Sequence, residues 1–142
     1  MILTLSDLIA RVESNWNPYA VRYEPAFKPS SGGVDAMAKL CHCSRATAAV
    51  LCAMSWGLFQ IMGENLISLG LDVTPMEFCA NESKQVALFT QFVTERGIAY
   101  LPSEIKDDHL KRERFALKYN GPGNIAAYSE RLFSFLNGEA TT

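Results

Sequence analysis

No charged residue occurs between Ala46 and Met62. A run of seventeen such residues must either line a core or cross a membrane, because each large apolar side chain gains about 1.5–3 kcal/mol on burial. It is short for a membrane span, and it carries Thr47, Ser55, Gly57 and Gln60. The pattern predicts a buried helix over 45–52 capped by Ser44, then a break and fresh cap at Ser55. A short second helix is expected over 57–62, ended or kinked by Gly63 or Asn65.

The rest of the chain supplies a core around that run. Hydrophobic residues make up 49% and charged residues 20% of 142 residues, which predicts one globular domain over 1–142, large enough to fold without staples. Leu5, Leu8, Ile9 and Val12 recur at helical spacing, behind a capping pattern at Thr4 and Asp7, so a first helix is expected over 5–14. Asn17-Pro18 stops it. The prolines and Ser30-Ser31-Gly32-Gly33 predict a loop over 23–34. Thr74-Pro75-Met76-Glu77 starts a helix, and Asn81 starts a longer one to Arg96 with Val86, Phe89, Phe92 and Val93 on one face. Ser103 or Asp107 opens another that reaches Lys118, with Ile105, Leu110, Phe115 and Leu117 as its apolar members. Tyr119 to Gly123 reads as a tight loop. A last helix carries Ile125, Tyr128, Leu132 and Leu136 and ends at Asn137-Gly138. No segment alternates convincingly, so the fold is mainly α with at most a small β-hairpin.

The net charge of −2 and the lack of a basic stripe argue against nucleic acid as a partner. Cys41, Cys43, Cys52 and Cys79 sit mostly among apolar or small residues, and Met1-Ile2-Leu3-Thr4 lacks a secretory signal's basic region and cleavage site. Reduced thiols and cytoplasmic synthesis are expected. Cys41-His42-Cys43 is not a zinc spacing, so no metal is expected.

Three segments ask for more than packing. Glu13 follows the first helix's apolar stripe, where a carboxyl can lose water and keep its proton near neutral pH, as a general acid must. A solvated residue at a frayed helix end is the other reading. Gln60 is polar inside an apolar run, and either a substrate group or a buried protein partner can satisfy it. Tyr119-Asn120-Gly121-Pro122 suits a helix C-cap, while its phenol can also bond a carboxyl.

Taken in order, VESNWNP, SWGLFQIMG and YNGP resemble the lysozyme-like N-acetylmuramidase domain of phage endolysins, within the goose-type lysozyme and lytic transglycosylase superfamily. The resemblance covers about residues 5–128 and implies a single lysozyme-like domain with a catalytic cleft. It places the catalytic acid on Glu13, with Ser14 in support. The cleft-lining segment falls on Gly57-Leu58-Phe59-Gln60-Ile61, and the closing segment on Tyr119-Asn120-Gly121. The RYE sequence before Pro25 looks like the muramidase branch's second glutamate, Glu24. Ser55, Gln60, Tyr119 and Asn120 are then substrate-binding candidates, Gly57 supports them, and Trp56 and Phe59 belong to the core. The stretch over 27–44 is short for the family and reads as a reduced cleft wall. The chain begins just before the first helix, so wall affinity is expected from the cleft alone.

The implied reaction is cleavage of the β-1,4 bond between N-acetylmuramic acid and N-acetylglucosamine in peptidoglycan glycan strands, without cofactor. Glu13 protonates the leaving oxygen, and Glu24 activates water or stabilises the oxocarbenium ion. With a water between them the two carboxyls should lie about 6.5–9.5 Å apart. Without Glu24, attack by the muramic acid 6-hydroxyl gives the anhydro product of a lytic transglycosylase. A non-catalytic glycan-binding virion protein is the remaining alternative. A monomer without membrane insertion is expected, made in the bacterial host cytoplasm and brought to the wall by a separate permeabilising protein.

Overall fold

The computed structural model describes residues 3–141, with side chains as far as Gly138. Met1 and Ile2, part of the opening read for a secretory signal, lie outside the described residues. The elements in order are α1 (Leu5–Ser14), β1 (Val21–Tyr23), α2 (Ser31–Cys41), α3 (Arg45–Cys52), β2 (Met54–Trp56) and β3 (Ile61–Met62). Then come α4 (Gly63–Ser68), α5 (Pro75–Cys79), α6 (Glu82–Glu95), α7 (Pro102–Asp107), α8 (His109–Asn120), a 3-10 turn (Pro122–Asn124) and α9 (Ile125–Thr141). The described residues are mainly α, as the sequence leads one to expect. Among them no helix is long and apolar enough to cross a membrane. The chain divides into two compact units, Glu13–Phe89 and the residues up to Val12 together with those from Thr90 onward.

In the unit Glu13–Phe89, the expected helix over 57–62 is replaced by a hairpin. Gly57 has φ 78° and Gln60 φ 50°, and two left-handed residues within four cannot belong to a right-handed helix. The chain instead reverses between β2 and β3, with Ser55 opposite Met62 and Trp56 opposite Ile61. β1 joins this hairpin as a third antiparallel strand, pairing Arg22 with Ser55 and Val21 with Trp56. Gly63, expected to end a helix, begins α4, and its lack of a side chain lets the backbone pass where a Cβ would run into the carbonyl of Leu51.

The stretch read as a loop over 23–34, and as a reduced wall over 27–44, contains α2. Ser30 caps it, its Oγ accepting from Gly33 N at 3.0 Å. Two glycines in the first turn cost about 1 kcal/mol each. Val34 and Met37 offset this by packing with Ala48 and Cys52 of α3 in one cluster. The anticipated cap of α3 is present, Ser44 Oγ accepting from Thr47 N at 3.1 Å. So is the Thr74–Glu77 capping box at α5.

In the second unit, Thr4 and Asp7 bond reciprocally at the start of α1, at 3.1 Å each way, and Leu8, Ile9 and Val12 are buried. Gly97, at φ 69°, follows α6 as expected. The single helix expected to reach Lys118 is two. Asp108 is extended, which ends α7, and its carboxylate accepts from Leu110 N and Lys111 N to cap α8. Leu110 is 75% exposed and Leu117 also faces water, so the core here is Ile105, Phe115 and Ala116. α9 buries Tyr128, Leu132 and Leu136 and runs through Asn137-Gly138 to Thr141. An interior glycine weakens a helix only by about 1 kcal/mol, which does not end it.

Candidate active site

Glu13 is the penultimate residue of α1 and is half-buried, directly after the fully buried Val12. The Arg131 guanidinium donates to the carbonyl of Val12, a cation at the end of the helix where the macrodipole is negative. After Ser14 the chain turns sharply. Asn15 has φ 51° and Trp16 φ 65°, and Asn17 N donates to both Ser14 O and Ser14 Oγ at 3.2 Å. Asparagine tolerates the left-handed region, whereas tryptophan has no such preference. Ser14 Oγ donates to Leu58 O at 2.8 Å, which pins the end of α1 to the turn between β2 and β3. A second turn follows, with Ala20 N on Asn17 O at 3.3 Å and Tyr19 N on Asn17 Oδ1 at 2.9 Å, and delivers the chain into β1.

Glu24 lies one residue past β1. Its N–H donates to Ala53 O at 2.9 Å, which extends the pairing with the hairpin. Its carboxylate pairs with Arg22 Nε at 3.1 Å, two residues back on the same strand face. Arg22 is largely exposed, and such a pair contributes about 0–1 kcal/mol. It orients Glu24 more than it stabilises the fold.

Ser55, Gly57 and Gln60 are brought together. Ser55 Oγ donates to Gln60 Oε1 at 2.7 Å, and Gln60 Nε2 donates to Ala20 O at 3.0 Å and Gly57 O at 2.9 Å. Gly57 N also donates to Ala20 O at 2.7 Å. The carboxamide of Gln60 thus ties the β2–β3 turn to the segment leading into β1, and Ser55 is buried behind it. Trp56 and Phe59 are in the core, Phe59 stacked on Phe89 with ring centroids 4.3 Å apart.

Sequence reasoning missed Gln85. It is fully buried; its Oε1 accepts from Leu58 N at 2.7 Å, and its Nε2 donates to Pro18 O at 3.1 Å and Cys79 O at 3.0 Å. One side chain therefore braces the turn after α1, the β2–β3 turn and the end of α5. A signal was available. The stripe of Phe89, Phe92 and Val93 on α6, carried back one turn, lands on residue 85. Val86, expected on that face, is 40% exposed.

In the other unit, Tyr119 and Asn120 end α8, and Gly121 caps it at φ 89° with its N–H on Leu117 O. They belong to the helix and not to the loop. The Tyr119 ring packs edge-on to Phe92 at 5.4 Å and stacks with Phe115 at 5.2 Å, while Asn120 is exposed. A groove of about 620 Å³ between α8 and α9, lined by His109, Arg112, Glu130 and Phe133 among others, contains none of the expected site residues. Among the described residues no group of three or more His, Cys, Asp or Glu is placed to hold a metal, and the four cysteines are unbridged.

The N-acetylmuramidase family model matches residues 13–138. The Endolysin of Enterobacteria phage PRD1 is 35% identical over 136 residues, covering 89% of this chain and 91% of that protein. No solved structure matches. The matched span opens on Glu13 itself and contains every residue placed above in the Glu13–Gln60 network, so the chain belongs to the N-acetylmuramidase family, as a peptidoglycan-degrading domain of the phage-endolysin type.

Proposed function

We propose that this chain, working as one domain over 1–142, cleaves the β-1,4 bond between N-acetylmuramic acid and N-acetylglucosamine, with Glu13 as general acid. The observation that carries this is the anchoring of Glu13-Ser14. The residue beside the acid is bonded to the Gly57–Gln60 turn, and Glu24 follows the strand paired with that same hairpin. A general acid needs a fixed position relative to the leaving oxygen, and a helix end tied to a hairpin supplies it. Ser55, Gly57 and Gln60 keep the shape of the turn that lines the glycan. Tyr119 and Asn120 hold the glycan, and Glu24 activates the attacking water or stabilises the oxocarbenium ion.

The Arg22–Glu24 pair favours a second outcome. While Arg22 engages Glu24, the muramic acid 6-hydroxyl can attack in place of water and leave an anhydro sugar. The protein acts at the wall after release from the host cytoplasm, as a monomer on glycan strands.

Glu13→Gln tests the assignment. It should fold normally and lower clearance of peptidoglycan suspensions by about a hundred- to ten-thousandfold. Lysis at the parental rate would remove Glu13 from the role of acid. Mass spectrometry of the muropeptides separates the two outcomes, because the anhydro product lacks one water.

A further inference from the structure

The two tryptophans occupy opposite environments. Trp56 is 4% exposed and donates from its indole N–H to Leu51 O at 3.1 Å. Trp16 is 47% exposed and sits in the turn immediately after Glu13-Ser14. Turn geometry does not call for an indole at position 16, and about half of the residue is left open to water. The third position of a turn with positive φ favours glycine or asparagine, and a β-unbranched but bulky residue there is strained. An exposed aromatic also gives up part of the burial that would stabilise it. Asn15 and Asn17, on either side, are exposed as well.

We propose that Trp16 is a sugar-stacking platform for the glycan strand, a role that rests on the muramidase reading above. A pyranose ring presents a face of C–H groups with hydroxyls and acetamido groups around its rim. The flat, electron-rich face of an indole matches the C–H face, and flanking amides match the rim. Ser14 fixes the geometry: the hydroxyl that pins α1 to Leu58 also accepts from Asn17 N, so the turn bearing Trp16 cannot move independently of the residue after Glu13. Tyr23 provides a contrast. It is 51% exposed, but strand alternation puts it on the sheet face opposite Arg22 and Glu24.

The experiment uses the full chain carrying Glu13→Gln and soluble glycan strands freed of stem peptides by an amidase. Acrylamide should quench Trp16 and leave Trp56 dark to it, and adding strands should roughly halve that quenching. In the otherwise unaltered enzyme, Trp16→Ala should raise KM about tenfold with kcat within about twofold, Trp16→Phe should restore most of the loss, and Tyr23→Ala should change neither. Strands that bind the Glu13→Gln protein without altering Trp16 quenching would overturn the platform and leave the muramidase reading standing, as would a Trp16→Ala enzyme with parental KM. A parent protein that releases neither reducing ends nor anhydro muropeptides from peptidoglycan would overturn the muramidase reading, and the platform with it.

Discussion

Ser14 Oγ donates a 2.8 Å hydrogen bond to the carbonyl oxygen of Leu58, so the last residue of α1 and the turn between β2 and β3 move as one piece. The residue before that helix end is Glu13, and the residue before that turn's leucine is Gly57. The bond spans 44 positions of sequence and fixes where the acid stands relative to the hairpin.

Ser14→Ala removes this tie and one of the two acceptors for Asn17 N, leaving the carbonyl of residue 14. A part-buried hydrogen bond of this kind contributes about 1 kcal/mol net, so urea unfolding should show a loss of that size. Activity should fall further, by about ten- to a hundredfold, because a displacement of the acid near 1 Å is costly to the rate. Equal losses in stability and activity would mean that Ser14 only stabilises the fold.

Gly57→Ala should destabilise the protein by about 3 kcal/mol in the same measurement. The left-handed backbone penalises any side chain, and a Cβ would collide with the Gln85 carboxamide. Gln85→Leu keeps the bulk but strands the Leu58 N–H and two carbonyls, at a cost of about 2–4 kcal/mol. Hydrogen exchange should report it locally as a loss of protection at the Leu58 amide. Retained protection would show that the brace lies elsewhere.

Alkaline stability should be limited by Cys52. Burial pushes its thiol from 9.0 up to about 11. Between these values the unfolded chain has released the proton and the folded one has not, so stability is fully present below pH 9 and declines as pH rises towards 11. The loss is about 2 kcal/mol, and Cys52→Ala should flatten that part of the curve. Burial raises Cys79 as well, so alkylation at pH 8 should label Cys43 before Cys52 or Cys79.

Glu24→Gln should abolish hydrolysis if Glu24 directs the water, while anhydro muropeptides continue to form. Product masses read this without a rate measurement. Unchanged hydrolysis would leave Glu24 as no more than the partner of Arg22.

Much of the helical framework was legible in local chemistry. The Thr4–Asp7 and Thr74–Glu77 boxes, the Ser44 cap, and Gly97 and Gly121 at helix ends each act within four residues, so spacing along the chain is enough to see them. The three motifs likewise exposed the site candidates, because Glu13-Ser14, the Gly57–Gln60 segment and Tyr119-Asn120 are contiguous. What the amino-acid order by itself determined, then, was the mainly helical class, the caps that act within a few residues, and which residues are chemically out of place.

Only the tertiary structure decided how those out-of-place groups are satisfied. α2 forms despite Gly32-Gly33 because Val34 and Met37 find Ala48 and Cys52, and the second half of the uncharged run forms a hairpin to which β1 adds a third strand. Gln60 and Gln85 bond carbonyls and amides from distant segments, with Gln85 reaching 67 positions back to Pro18. A buried amide must be paired, but its sequence neighbours do not say with whom, since the partner is chosen by which backbone groups the folded chain brings within 3 Å.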